Sequence, residues 1–261
     1  MFTAVGVALA AVVGSAAATP AASTGTVAPA APNRAAAPAS SYKVKGIDTS
    51  RHQHEEGGRK TSISWSAVAR SHAFVFHKAT QGTTHTDPDF RQDFAAVEKT
   101  SLLHAPYHFF DPKNTTDGTA QARHFIRVAR AAGYRGPSAG QLPPAVDIEM
   151  VKNRCPSALR SDQIRAFLAE VKKAFGVAPI VYTNANFVNT CMKGKGQALS
   201  GHVQWLARYN AQQEPRRLPG TDRSWTFWQH SKEGKVAGIT GPVDLNVFRG
   251  SLAELRALAG R

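Results

Sequence analysis

Between residues 42 and 261 the chain alternates short apolar runs with stretches of helical periodicity. Eight runs of strand length, rich in Val, Ile and aromatic residues, fall at 44–48, 73–78, 103–109, 145–149, 180–183, 203–209, 226–230 and 243–247. In the clearest helical stripe, Ile164, Phe167, Leu168, Val171 and Phe175 recur at i, i+3, i+4, i+7 and i+11, with Ser161 as the expected N-cap and Gly176 as the stop. Ala122, Phe125, Ile126 and Ala129 make a second stripe ending at Gly133, and Phe94 and Val97 belong to a third. After Tyr182 the helical signal fades, and Gly-, Pro- and Ser-rich loops join the last three strands. The pattern predicts an α/β fold, a modified TIM-like barrel of eight strands that is β/α in its first part and mostly β in its last.

In such barrels chemistry gathers at the C-terminal ends of the strands, and the polar residues follow that rule. Asp48 ends strand one, His77-Lys78 strand two, His108 strand three, Asp147 and Glu149 strand four, and Tyr182 strand five. Trp205 and Tyr209 lie on strand six, Gln229 ends strand seven and Asp244 lies on strand eight. Strands one and eight adjoin in a closed barrel, so the acids of strands one, four and eight would converge at one mouth.

Asp147 and Glu149 carry the sharpest signal. Positions i and i+2 of a strand share a face, roughly 6–7 Å apart. Carboxylates that close push each other's pKa values apart. One protonated acid beside one charged carboxylate is what cleavage of a glycosidic bond requires. Two solvated acids on an exposed strand end would give the same sequence.

The first 41 residues differ from the rest: they hold one charged residue, Arg34, among Ala, Pro, Ser and Thr. The apolar stretch 5–13, followed by Ala16-Ala17-Ala18, predicts an export signal over 1–18, although no Lys or Arg precedes it. Residues 19–41 read as a flexible Ala/Pro linker. A secreted chain with just two cysteines, Cys155 and Cys191, predicts a disulfide across 36 positions. The signal stretch is too short for stable membrane insertion. The formal charge of +14 calls for an anionic partner or surface. The scattered basic residues show no nucleic-acid-binding signature, and an anionic cell wall suits an exported protein better.

The motifs, in order, resemble family 25 of the glycoside hydrolases, the muramidases that act as lysozymes. Gly46-Ile47-Asp48-Thr49-Ser50 is similar to the family's opening strand, and Lys78-Ala79-Thr80-Gln81-Gly82 to its Lys-Ala-Thr-Glu-Gly. Tyr107-His108-Phe109 and the run from Leu142 to Glu149 match its third and fourth strands. Pro179 to Thr183, Trp205 to Tyr209, Trp228-Gln229 and Val243 to Phe248 follow, so the resemblance spans roughly residues 44–258. It implies a (β/α)5(β)3 barrel over 42–261 that hydrolyses the β-1,4 bond between N-acetylmuramic acid and N-acetylglucosamine in peptidoglycan. Glu149 would be the general acid and Asp147 its charged neighbour, with Asp48 and Asp244 completing the acidic cluster. Three positions depart from the family: Gln81 stands where Glu is common, Thr49 where Val is frequent, and His52-Gln53-His54-Glu55-Glu56 makes the first loop unusually polar.

Carboxylates at i and i+2 on one strand do not flank a bond from both faces. The substrate's own N-acetyl group, oriented by Asp147, would then serve as nucleophile, or Asp48 or Asp244 would activate water. Tyr107, Phe109, Tyr182, Trp205, Tyr209 and Trp228 are the expected sugar-binding aromatics. The expected partners are peptidoglycan and anionic wall polymers, with no nucleic acid, no cofactor, no metal, and a monomer acting outside the cell. Three rival readings follow from the same residues. A chitinase-like hydrolase would carry a further Asp where Ala145 stands. A metal hydrolase would use His52, His54, His77, His108 and Asp147. A wall-binding module would keep the fold without catalysis.

Overall fold

The eight apolar runs form eight strands that close on themselves. In the computed structural model, which describes Met1 and residues 37–113, 117–138 and 140–260, they are β1 (Val44–Thr49), β2 (Phe74–Gln81), β3 (Leu103–Phe109), β4 (Ala145–Asp147), β5 (Ile180–Asn184), β6 (Gln204–Ala207), β7 (Trp225–Gly234) and β8 (Val243–Phe248). Each pairs with the next, and β1 pairs with both β8 and β2, which closes the barrel. All neighbours are parallel except β8, which runs antiparallel to β1 and β7. The expected export signal and residues 19–36 lie outside the described residues.

Helices coat the first part, as the stripes predict. They are α1 (Trp65–Val68), α2 (Phe90–Val97), α3 (Asp117–Ala131), α4 (Ser161–Phe175), α5 (Ala185–Thr190) and α6 (Leu252–Leu258). The α4 stripe is buried at every expected position, and Gly176 ends the helix at φ 71°, a left-handed conformation open to Gly. Ser161 is the first residue of α4, and the extended Arg160 holds the N-cap position. β6, β7 and β8 follow one another without an intervening α-helix among the described residues.

Alternation along the strands separates two apolar layers. Val146, Ile148, Val181, Leu206 and Trp228 face outward and pack with Phe125, Phe167 and Val171 of α3 and α4. Phe74, Phe76, Leu103, Ala145, Tyr182, Trp205 and Phe227 fill the interior. Phe76 stacks on Trp205 at 4.4 Å, and Phe227 meets Phe76 edge-on at 5.2 Å, so the barrel has a solid floor beneath its mouth. Gly46 makes room for it: a Cβ there would stand 2.3 Å from the Phe74 ring. The far end is plugged by α6, whose Leu255 joins the interior layer together with Ala259. A capping box between Ser251 and Glu254 starts that helix.

Several boundaries differ from expectation: β6 ends at Ala207, which leaves Tyr209 on the following loop, and β7 runs on to Gly234, which puts Gln229 inside it. Residues 39–41, read as linker, form a 3-10 turn; Ala39 is buried and its N–H donates to the carbonyl of Ala211 at 2.6 Å. The next residue, Tyr42, explains why: its ring meets Trp225 edge-on at 4.9 Å, anchoring the segment to the barrel. Glu149 lies two residues beyond the end of β4, on the loop that leads to α4.

That loop is held. Cys155 and Cys191 form the expected disulfide, with Cα atoms 5.3 Å apart, and tie it to the end of α5. Replacing both cysteines by serine is expected to lower unfolding stability by about 3 kcal/mol, measured as a shift of the denaturant midpoint against the oxidised parent.

Candidate active site

The alternation that builds the layers also aims the acids. Ala145 faces the interior, Val146 and Ile148 face the helices, and Asp147 and Glu149 share the inward side. The N–H of Ile148 donates to the carbonyl of Tyr182 at 2.9 Å, so the extended geometry continues past β4. Asp48 sits near the end of β1 and Asp244 near the start of β8. Because β8 is antiparallel, its beginning lies at the mouth, and Asp48 and Asp244 are direct cross-strand partners.

The four carboxyl groups interact. Asp48 and Asp244 share a hydrogen bond. Burial, the Asp48 charge and that bond push Asp244 up to about 8, so Asp244 is the donor. Asp48 Oδ2 also accepts from Gln229 Nε2 at 2.9 Å and Asn246 Nδ2 at 2.7 Å. These bonds favour its charged form and oppose burial, which otherwise dominates and raises it to about 6. Burial followed by the Asp48 charge pushes Glu149 up to about 7. Asp147 is pushed well up as well, by burial first and the Glu149 charge second, while the Lys78 ammonium pulls the other way. In the free protein burial thus disfavours the charged form of both acids, and Asp147 lies the deeper. Its Oδ1 is buried without a hydrogen-bond partner among the described residues.

Gln229 and Asn246 organise the floor. Gln229 Oε1 accepts from Tyr182 Oη at 2.8 Å and Tyr209 Oη at 2.9 Å, which orients its amide to donate to Asp48. Asn246 Oδ1 accepts from Trp205 Nε1 at 2.7 Å and is oriented the same way. Gln229 is legible in the sequence as a polar strand residue; Asn246 is less so, and its place two residues after Asp244, on the same face of β8, is the available signal. Lys78 Nζ donates to Gln81 Oε1 at 2.9 Å and lies 4.8 Å over the Phe109 ring. Gln81 Nε2 then reaches Asp111 Oδ2 at 3.2 Å, so the amide at this departure position relays between a cation and an acid.

The aromatic expectations divide. Tyr209 is 54% exposed and Phe109 half-buried, and both can offer a ring face to a ligand. Trp205 and Trp228 cannot. Trp205 is barrel filling, and Trp228 faces the helix layer, where its Nε1 donates to the carbonyl of Arg208 at 2.9 Å. Tyr107 and Tyr182 are also buried, against Trp205. An inward aromatic below the rim serves as floor, because the barrel interior is packed solid.

The histidines do not form a set with the acids. His77 and His108 point outward, toward Thr49 and toward Thr80 and Gln121, while Asp147 points in. His54 is buried against Asp93 at 2.7 Å, and among the described residues no three His, Cys, Asp or Glu are grouped to hold a metal.

Two cavities flank the acid pair. One, of ≈ 360 Å³, is lined by Arg51, His52, Lys78, Gln81, Asp87 and Asp111; Lys78 feels the charges of both Asp147 and Glu149. The other, of ≈ 470 Å³, is lined by Glu149 itself with Asn153, Asn184, Arg208 and Tyr209. The arrangement can donate a proton from Glu149 to a ligand lying across the mouth, beside a buried network that holds negative charge.

The chain is similar in sequence and fold to known lysozymes. The sequence model of Glycosyl hydrolases family 25 matches residues 47–239. Lysozyme M1 of Streptomyces globisporus is 32% identical over 232 residues, 87% of this chain and 74% of that protein. The crystal structure of the bacterial lysozyme from Streptomyces coelicolor superposes with a TM-score of 0.72 at 34% identity, over 83% of this chain and 96% of that one. The structure of a family 25 lysozyme from Aspergillus fumigatus gives 0.69 at 30% identity, over 84% and 99%.

Two outcomes are expected. Asn246→Ala removes a bond to charged Asp48, so the Asp48 pKa should rise above about 6; carbon-detected NMR titration of the carboxyl groups measures it. Glu149 has a higher pKa folded than its ordinary 4.5, so its contribution to stability is full below about pH 4.5 and is lost as pH rises through about 7. Glu149→Gln should therefore stabilise the fold at pH 8 relative to pH 4.5, by on the order of 2–3 kcal/mol, read from denaturant unfolding at the two pH values.

Proposed function

The chain belongs to family 25 of the glycosyl hydrolases, and on that premise we propose that it is a secreted lysozyme that cuts the β-1,4 bond between N-acetylmuramic acid and N-acetylglucosamine in peptidoglycan. It is a glycoside hydrolase; the substrate, the export and the residue roles are our reading. The observation that carries the reading is the convergence of Asp48, Asp147, Glu149 and Asp244 at one mouth, with Glu149 half-buried against an open groove and raised to about 7.

Glu149 is the general acid. A pKa near the operating pH lets it hold a proton yet give it up to the leaving oxygen. Asp147 is the positioning carboxylate: its unpartnered Oδ1 is a ready acceptor for the acetamido N–H of the sugar. That hydrogen bond would favour the charged form of Asp147, whose proton passes to solvent, and leave Glu149 protonated. Substrate binding would thus restore the unlike protonation states that cleavage needs, and the negative charge on Asp147 would oppose the positive charge growing on the sugar. Water activation by Asp48 or Asp244 is the weaker alternative, because those two are hydrogen-bonded to each other and Asp48 also to Gln229 and Asn246. Tyr209 and Phe109 are the sugar-stacking rings. The apolar stretch 5–13 and the disulfide support export, and the +14 charge supports concentration on anionic wall polymer by a monomer.

Glu149→Gln is expected to lower kcat by about 10²–10⁴-fold on purified peptidoglycan, with wall binding retained. Parent activity should be bell-shaped in pH. It should fall above about 7 as Glu149 loses its proton, and fall on the acid side as Asp147, whose pKa burial and the Glu149 charge raise, takes one up. Digested walls, reduced at the new ends and read by mass spectrometry, should yield reduced N-acetylmuramic acid. Reduced N-acetylglucosamine would overturn the assignment, as would full activity of the Glu149→Gln protein.

A further inference from the structure

The outer flank of the barrel carries a feature the mouth does not use. Arg123, Arg127 and Arg130 recur at i, i+4 and i+7 of α3, so their side chains fall within one narrow stripe along the helix. All three are exposed. Across the groove between α3 and α4 stands Lys173, also exposed, and the cleft they line has a volume of ≈ 610 Å³. Its lining holds four cations and one acid, Glu170, and none of the four cations is in an ion pair among the described residues. Two of the arginines are pre-set. Arg127 Nη2 donates to His124 Nδ1 at 2.7 Å, and Arg130 Nη2 donates to the carbonyl of Ala174 at 2.9 Å while its guanidinium lies 5.6 Å over the Phe175 ring.

We propose that this α3–α4 groove is a docking site for a linear phosphate-bearing polyester of the cell wall. Guanidinium groups match phosphate oxygens bidentately. Along the axis the three arginines rise about 6 and 4.5 Å from one to the next, and their long side chains can spread further to meet successive phosphates of one extended chain. The apolar part of the groove, Ile126 and Ala174, is aliphatic and suits a polyol backbone. Nucleic acid fits less well, because single-strand sites stack bases on open aromatic faces, and the nearest ring, Phe175, is buried beneath Arg130. The groove lies on the side of the barrel, so the enzyme can hold the wall there while its mouth works on glycan. The choice of a wall polymer rests on the family 25 reading above; the groove itself does not.

The test uses the full chain and a variant carrying Arg123→Gln, Arg127→Gln and Lys173→Gln, with Arg130 kept because it braces α4. Matching thermal unfolding midpoints establish that the variant folds. Both proteins are co-sedimented with Gram-positive walls that carry phosphate polyester and with the same walls stripped by hydrofluoric acid. The parent should bind stripped walls more weakly, and the variant should lose about tenfold or more in affinity for intact walls with no change on stripped ones. Hydrolysis of soluble, uncrosslinked glycan strands should be the same for both. Equal binding of the parent to both walls would overturn the proposal, as would a variant that binds intact walls like the parent. Tighter binding of the parent to a single-stranded oligonucleotide, abolished in the variant, would overturn the choice of partner. Failure of either protein to cut any glycan, with the binding difference intact, would count against the muramidase reading and leave the docking site standing.

Discussion

The mouth of this barrel depends on keeping one buried carboxylate charged. Asp48 is almost wholly removed from water, which by itself would drive it neutral. Donors from Gln229, Asn246 and Asp244 hold the charge in place. Those residues come from β7 and β8, so one anion ties together the three strands that close the barrel. Tyr182, Tyr209 and Trp205 in turn fix the two amides, and the aromatic floor fixes Tyr182 and Trp205. Packing and chemistry are therefore one construction: the interior rings that look like sugar platforms are the supports of the acid that raises Glu149.

The same construction explains the division of labour among four carboxyl groups. Asp48 stays charged through its donors, and Asp244 stays protonated because it donates to Asp48. Asp147 and Glu149 are left to share what remains, under burial and mutual repulsion. Lys78 tempers that repulsion while its ammonium also donates to Gln81. A Glu at position 81 would bind that ammonium more tightly and weaken its pull on Asp147. The departure at this position therefore bears on the acid pair through Lys78.

The enzyme has two electrostatic surfaces of unlike purpose. The mouth concentrates buried acids whose protons move. The outer flank presents arginines whose charge is permanent at any accessible pH. Both belong to a chain with a large positive excess, to which the flank contributes four exposed cations.

The apolar periodicities of the sequence were enough to determine eight strands and the main helices, because strand and helix each bury a face with its own repeat; the pairing of β1 with β8 came from the tertiary structure. The Asp-x-Glu spacing likewise determined that both acids share a side, since Ile148 between them is apolar and has to face the helices. What the sequence did not decide is depth. Trp205, Trp228 and Tyr182 carry the composition of a sugar-binding site, yet they lie below the rim or behind the sheet. Asn246 looks like any strand residue until the antiparallel course of β8 sets it against Asp48. Residues 39–41 share the composition of the preceding tail, and Tyr42 beside them docks on Trp225. Each of these outcomes depends on which distant strand lies opposite and on how far above the packed floor a side chain stands, and the closed barrel alone supplies both.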